Sequence, residues 1–569
     1  MLDLPKIISV ARGAQPADLL LENARLVNVL SGEIHPTDIA ISGSRIVGLG
    51  SGYHAHEVTD LGGRYVCPGF IDAHVHIESA LVPPRQFARA VVPHGVTTAI
   101  TDPHEIANVL GVEGIRLMLG DAKHGPLSMY VNASSCVPST AMETSGASLE
   151  FSDLAPLLNE PWVLGLAEVM NYPAVLAGDN RMLEKISGFK GRVIDGHCPG
   201  LTGKDLNAYI AAGIMSDHEC TTLDEAREKL RHGLSIFIRE ASGAHNLLPL
   251  LPLVTAGNER RICLCTDDRQ PSDLLEQGSI DHMLRVAIAA GLDPVTAIRM
   301  ATLNGAEYYR LHDRGAIAPG RRADMVVFSD LRNLRPELVY RGGRLVAQDG
   351  HMLAAVQPAR PASLRNTVNV DWPSVSFEIQ ARGGQARVIG IIPNQIVTRH
   401  LIETVKLSGG LAVADVAHDL LKIAVLERHH ATGRIGLGFL HGLGLKRGAI
   451  ASTVAHDHHN IVVAGADDLS MLTAVRAVAA AHGGMAVALG DALVALVALP
   501  IAGLMSDEPI EGMQQKLKGL YAAAQQLGCA MPDPFTTLSF MALPVIPALK
   551  LTDQGLVDVE SFQTVGLFV

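Results

Sequence analysis

Val66-Cys67-Pro68-Gly69-Phe70-Ile71-Asp72-Ala73-His74-Val75-His76 is the stretch whose reading decides the fold. An apolar run ends in two histidines separated by one residue. In a strand, alternate side chains share a face, so both imidazoles point the same way. A barrel strand presents two ligands to one metal at its C-terminal mouth in this manner. Working outward, strand-like apolar pieces recur from Val96 to Thr101, Ser128 to Ala133, Val163 to Ala167, Val193 to Asp195, Ala212 to Ser216, Ser235 to Arg239 and Arg261 to Cys265. Helical pieces separate most of them, such as Thr222 to His232, where Glu225 and Lys229 stand four apart. Counting the strand before His74, this rhythm predicts a (β/α)8 barrel. A doubly wound sheet would want a Gly-rich phosphate loop after its first strand, and none is found.

The flanks read differently. Leu19 to Val29, Asp38 to Ser42 and Arg45 to Leu49 are β-like, punctuated by Gly43 and Gly50-Ser51-Gly52. Pro294 to Leu311 predicts one helix, and the run from Gly315 to Phe328 returns to β character. The expectation is an α/β chain in which a TIM-like (β/α)8 barrel (69–311) is inserted in a small split β-domain (1–68 and 312–365). A C-terminal α+β domain (366–569) follows, with a linker from Pro358 to Asn366, a strand from Ala386 to Ile392 and a helix from Pro509 to Leu527.

Composition narrows the function classes. The 569 residues carry 46 basic and 58 acidic side chains, a net charge of −12, which disfavours nucleic-acid binding. Hydrophobic residues at 48% against 18% charged exclude a disordered chain. Cys67, Cys136, Cys198, Cys220, Cys263, Cys265 and Cys529 are odd in number and lack framework spacing, so reduced thiols in a cytoplasm are expected. Met1-Leu2-Asp3-Leu4-Pro5-Lys6 lacks the blocks of a signal peptide. Met485 to Leu504 is long enough to span a bilayer, but Asp491 and Pro500 favour a buried element of a soluble fold.

Ligand-type residues sit at the ends of the later apolar runs. Glu168 follows Gly165-Leu166-Ala167, His197 follows Val193-Ile194-Asp195-Gly196, His218 follows Ile214-Met215-Ser216-Asp217, and Asp267 follows Ile262-Cys263-Leu264-Cys265-Thr266. With His74 and His76 these make a site for one or two divalent ions. Nitrogen and oxygen ligands without thiolate suit Fe(II), Mn(II) or Zn(II). Cys263 and Cys265 read as a buried strand pair.

These motifs resemble the amidohydrolase superfamily of metal-dependent barrel hydrolases. Pro68 through Ser79, His94-Gly95-Val96-Thr97-Thr98, Ala167-Glu168-Val169-Met170-Asn171, Asp195-Gly196-His197, Ser216-Asp217-His218-Glu219 and Thr266-Asp267-Asp268-Arg269 carry the resemblance. The run Thr101-Asp102-Pro103-His104-Glu105-Ile106-Ala107-Asn108-Val109-Leu110-Gly111, the residues Val454-Ala455-His456-Asp457 with His459-Asn460, and the long C-terminal region narrow it to the adenine deaminase branch. Many superfamily members bridge two metals with a carboxylated lysine; here Glu168 holds that place and already carries a carboxylate. The resemblance implies a divalent metal, Mn or Fe before Zn, and a purine substrate (adenine, converted to hypoxanthine and ammonia); apolar content and the extra C-terminal region suggest a homodimer or larger, and no membrane or nucleic-acid partner is expected.

On that reading Asp267 is the candidate base that takes a proton from the attacking water. Protonation at purine N1 falls to Glu219, Glu240 or Glu105, and the sequence does not choose. His218 is either a ligand or the group that polarises the water. Asp102 and His104 bind the purine or an extra metal, or are a capping Asp and a surface His. Arg239 and Glu240 recognise the purine edge or form an ordinary ion pair. His456, Asp457 and His459 close the site from the third region or form a polar turn. Two other classes compete: an amidohydrolase acting on cyclic amides or N-acyl amino acids, and a non-catalytic scaffold that would have lost ligands.

Overall fold

The computed structural model describes residues 3–123, 125–353, 365–393 and 395–569. Most of the expected linker, 358–364, lies outside the described residues. The barrel strands are buried along almost their whole length, as in Phe70–Val75 and Val96–Thr101. This is the pattern of parallel strands covered on both faces. Five run side by side in the order Val193–Gly196, Val163–Val169, Ser128–Ala133, Val96–Thr101, Phe70–Val75. Three more, Ser216–Asp217, Ser235–Arg239 and Ile262–Cys265, form a second parallel group.

Backbone hydrogen bonds join the two groups at both edges. Met215 N donates to Ile194 O at 2.9 Å; Asp267 N donates to His74 O at 3.0 Å and His76 N to Asp267 O at 3.2 Å. The result is a ring of eight parallel strands, a TIM-like α/β fold. Close approach at one seam requires glycine: a Cβ on Gly196 would lie 2.2 Å from the Ser216 carbonyl oxygen.

Two local expectations change. The sixth strand is only Ser216–Asp217, because Gly213 adopts φ +110° and turns the chain just before it. The helix expected from Pro294 to Leu311 is two, Pro294–Met300 and Leu303–Tyr308. The break at Ala301 turns its carbonyl to accept from Ile71 N at 2.8 Å, tying the helix pair to the first barrel strand. Elsewhere the local chemistry acts as expected. The helix Leu223–Arg231 is capped by Thr222 and braced by Lys229 and Glu225 at 2.6 Å.

Outside the ring, a nine-stranded sheet joins strands from the two ends of the barrel sequence. The chain leaves it through Tyr65–Pro68 and returns through Met325–Phe328, its antiparallel neighbour. Leu26, Ile39, Ile41, Met325 and Val327 form part of its separate core. Beyond residue 365 an eight-stranded sheet runs from Thr398–Thr404 at one edge to Ala492–Ala498 at the other, with the helix Asp468–Ala480 packed on it. The apolar run from Met485 lies largely in two antiparallel strands, Gly484–Leu489 and Ala492–Ala498. Among the described residues no helix is long and apolar enough to cross a membrane. The C-terminal region sits on the barrel through polar links: Ser506 N donates to Leu81 O at 2.9 Å, and Thr144 donates through N and Oγ1 to Asp553 at 2.9 and 2.6 Å. All seven cysteines are free and buried, Cys263 and Cys265 within the eighth strand.

Candidate metal centre

His74 and His76 leave the first strand 3.0 Å apart at their Nε2 atoms. His76 Nδ1 lies 3.0 Å from the Asp102 carbonyl oxygen. That acceptor holds the proton on Nδ1 and leaves the Nε2 lone pair free, the usual outer support of a metal-binding imidazole. Glu168, at the end of the fourth strand, stands between two pairs of histidines. Its Oε1 lies 3.7 Å from His74 Nε2 and 3.2 Å from His76 Nε2, while Oε2 lies 2.6 Å from His197 Nδ1 and 3.2 Å from His218 Nε2. Burial alone would raise this carboxyl; His218 and His197 overcome it and hold it well below the usual range.

Asp267 completes the cluster. Its Oδ1 is 3.6 Å from His74 Nε2 and 3.2 Å from His76 Nε2, and its Oδ2 accepts from Arg239 Nη1 at 2.7 Å. The residue sits at φ +57°, a left-handed conformation in which aspartate is one of the few tolerated side chains. Burial opposes ionisation of Asp267, and the neighbouring Arg239 guanidinium outweighs it. Arg239 also forks onto both oxygens of Glu219, with Nη2 to Oε2 at 2.9 Å. The six side chains fit a divalent ion by chemistry: four imidazoles and two carboxylates, all buried but His197, which is nearly so. Ligand atoms of His74, His76 and Glu168, of His74, His218 and Asp267, and of Glu168, His197 and His218 all fall within 4.8 Å of one another in each trio. His197 Nε2 is buried without a hydrogen-bond partner.

The remaining candidate residues divide. His104, Glu105, Glu219, Arg239, His456 and Asp457 line the cavity over the cluster. Asp102 and His459 stand behind it. Asp102 Oδ2 is 3.0 Å from His104 Nδ1, and His459 Nε2 bonds Glu105. Glu240 turns away: its carboxylate meets His245 Nδ1 at 2.8 Å and accepts from Leu247 N at 3.1 Å. Arg239 therefore pairs with Glu219 and Asp267, and not with the adjacent glutamate.

Sequence reasoning passed over two parts of the site. Asp268 lines the cavity, bonds Ser79, and groups with His76 and Asp267. Its place beside Asp267 in the quoted motif was the available signal. The cover of the cavity comes from Phe535, Thr536, Ser539, Phe540, Leu543 and Ile546. Nothing in their spacing separates such a cover from ordinary core.

Comparison with known proteins follows the same division of the chain. The family described as "Amidohydrolase family" matches residues 65–346, and "Adenine deaminase C-terminal domain" matches residues 395–563. A protein of Desulfatibacillum aliphaticivorans named adenine deaminase is 51% identical over 565 residues, 99% of each chain. Adenine deaminase 2 of Carboxydothermus hydrogenoformans is 48% identical over 567 residues, again 99% of each. A crystal structure titled as that of an adenine deaminase superposes with a TM-score of 0.46 at 19% identity, covering 58% of this chain and all of the other. Identity of this extent over whole chains leaves one conclusion: this chain belongs to the adenine deaminase family of the amidohydrolases.

Proposed function

We propose that the chain deaminates adenine to hypoxanthine and ammonia at the cluster around Glu168. One observation carries this: a single buried carboxylate with each oxygen facing a different pair of imidazoles. That is the arrangement of a bridging ligand, and the family implies a divalent metal. His74, His76, Glu168, His197, His218 and Asp267 would hold one or two ions, Mn(II) or Fe(II) by preference and Zn(II) as a third choice. A bound divalent ion lowers the pKa of water toward about 7, which supplies hydroxide at neutral pH.

The chain's own groups do the rest. Asp267 Oδ1 takes the proton of the attacking water and passes it to the departing amine, which leaves as ammonia, while Arg239 on Oδ2 keeps the carboxylate oriented. Glu219 is the carboxyl assigned to purine N1: it lines the cavity, whereas Glu240 is turned off it and Glu105 is engaged by His456 and His459. Arg239 forks both Glu219 oxygens, so Glu219 must first release one of them and take up a proton from solvent before it can deliver that proton to N1. His218 is a ligand on this reading, since its Nε2 faces the Glu168 carboxylate. His104, Glu105, His456 and Asp457 supply a polar wall, with Asp102 and His459 as their supports. The apolar cover excludes bulk water from the ring.

The nine-stranded sheet is read as a split β-domain around the barrel (1–68 and 312–365 around 69–311), and 366–569 as a C-terminal α+β domain. The apolar edge strand Ala492–Ala498, with Leu493, Val494 and Leu496 exposed, supports a homodimer. A cytoplasmic location accords with seven unpaired thiols.

The test is ammonia release from adenine by metal-free protein reconstituted separately with Mn(II), Fe(II) and Zn(II). Metal-dependent hypoxanthine formation that disappears in Asp267→Asn is expected. Full metal loading without adenine turnover would overturn the reading and direct the search to cyclic amides and N-acyl amino acids.

A further inference from the structure

Beside the Glu168 cluster lies a second set of donor atoms, contributed half by the barrel and half by the C-terminal region. His104 and Glu105 open the helix His104–Leu110 after the second barrel strand; His456 and Asp457 come from the loop after Ala449–Ser452. All four side chains are buried and all four line the cavity. We propose that they hold a further divalent cation, through His104 Nε2, Glu105 Oε1, His456 Nδ1 and Asp457 Oδ1, which fastens the C-terminal region to the barrel mouth. The proposal goes beyond the deaminase reading and does not depend on which reaction the cavity runs.

The geometry argues it in three steps. First, the tautomers are set from behind. Asp102 Oδ2 takes the Nδ1 proton of His104 at 3.0 Å, so the neutral ring offers a lone pair at Nε2. That lone pair faces two carboxylate oxygens, Glu105 Oε1 at 3.3 Å and Asp457 Oδ1 at 3.7 Å. Acceptors so disposed favour a positive charge between them, which a cation supplies without protonating the ring.

Second, the separations suit an ion better than a proton. Charge-assisted N–H···O bonds run about 2.7–2.9 Å. The edge of a tetrahedral site with bonds of about 2.1 Å is about 3.4 Å. The His104–Glu105, His104–Asp457 and His456–Asp457 separations are 3.3, 3.7 and 3.8 Å. Only His456 Nδ1 to Glu105 Oε1, at 2.6 Å, is a direct hydrogen bond that must open on binding.

Third, Glu105 is oriented as a ligand would be. Ala455 N donates to His459 Nδ1 at 3.2 Å, which leaves the proton of that ring on Nε2. His459 then donates to Glu105 Oε2 and leaves Oε1 for the site. Asp457 Oδ2 is buried with no hydrogen-bond partner among the described residues, although Asp457 lines the cavity. A purely hydrogen-bonded junction would not strand a carboxylate oxygen in this way.

The experiment counts ions. Metal-free wild-type protein and the variants His456→Ala and Asp457→Asn are saturated with Mn(II), passed through gel filtration and assayed for bound Mn(II) by mass spectrometry. Each variant is expected to hold one equivalent fewer than the wild type. A count equal to the wild type in either variant that remains folded overturns the site. A His74→Ala His76→Ala variant separates the two readings: loss of all but one equivalent shows the Glu168 centre and leaves the proposed ion in place, while an unchanged count condemns the Glu168 centre alone. Should the variants not fold, anomalous scattering at the Mn edge from wild-type crystals decides. A peak about 2.0–2.2 Å from His104 Nε2 and Asp457 Oδ1 sustains the proposal, and its absence at full loading refutes it.

Discussion

The barrel mouth and the loop around residue 458 are both crowded with buried histidines, and they differ in the acids that face them, although His74 at the mouth is itself held down to about 4 by burial and then by His218. At the mouth each of His74, His76, His197 and His218 has a carboxylate oxygen within 4 Å of a ring nitrogen. Burial would lower His218, but Glu168 beside it pushes the imidazole up to about 9. In the loop, His458 accepts from Asn460 N at 2.9 Å, has no acid for a partner, and is driven down to about 3 by burial and then by His459. His429 is likewise held well below its usual value by burial and Arg428. Only His456 escapes this, pushed up to about 9 by Glu105, a residue of the barrel; His459 also meets Glu105, yet burial holds it below its usual value. Histidine density therefore does not make an ion site. The carboxylates assign the roles.

The comparison breaks most visibly at Glu168. Glu168→Gln keeps the shape and removes the charge; metal content is expected to collapse and turnover to fall well beyond the about 10–100-fold cost of losing an outer support. Metal analysis beside the ammonia assay checks both. Arg239→Lys tests such a support directly. A single ammonium cannot fork onto Glu219 while holding Asp267, so kcat should fall about 10–100-fold with metal content kept.

A third prediction concerns pH in metal-free protein. His218 is raised from an ordinary 6.5 to about 9, so its contribution to stability is complete below 6.5 and is lost as pH rises through 9. Thermal melts of metal-free protein should therefore drop by a few degrees across that window. Mn(II)-loaded protein should not share that loss, because the ion replaces the proton. The smallest effect belongs to Glu240→Gln. Its carboxylate caps Leu247 N and meets His245 away from the cavity, so kcat/KM should stay within about threefold of the wild type, as for substitutions remote from a site.

What could be read beforehand follows the same physics. The placement of His74 and His76 side by side was legible because a period of two and a long apolar run leave few alternatives for the pair. The one-helix reading of 294–311 failed because the break at Ala301 frees its carbonyl for a tertiary donor, Ile71 N, which no local pattern announces. Arg239 and Glu240 looked alike, being adjacent. Their separation comes from the alternation of a strand end, which sends one into the cavity and the other toward residue 245. The cover at 535–546 was invisible, since apolar side chains over a pocket and apolar side chains in a core carry one signature.

The order of these parts along the chain has a consequence for synthesis. Asp267 is the last of the six candidate ligands, and the first cavity-lining residue of the C-terminal region is Ile396, roughly 130 residues later, or about 6–26 s at ordinary elongation rates. The emerging barrel thus offers its complete donor set to the surrounding fluid well before anything exists to roof it. On the proposed reading, ion choice would then be made by an open bowl and the local metal supply, before the pocket is roofed.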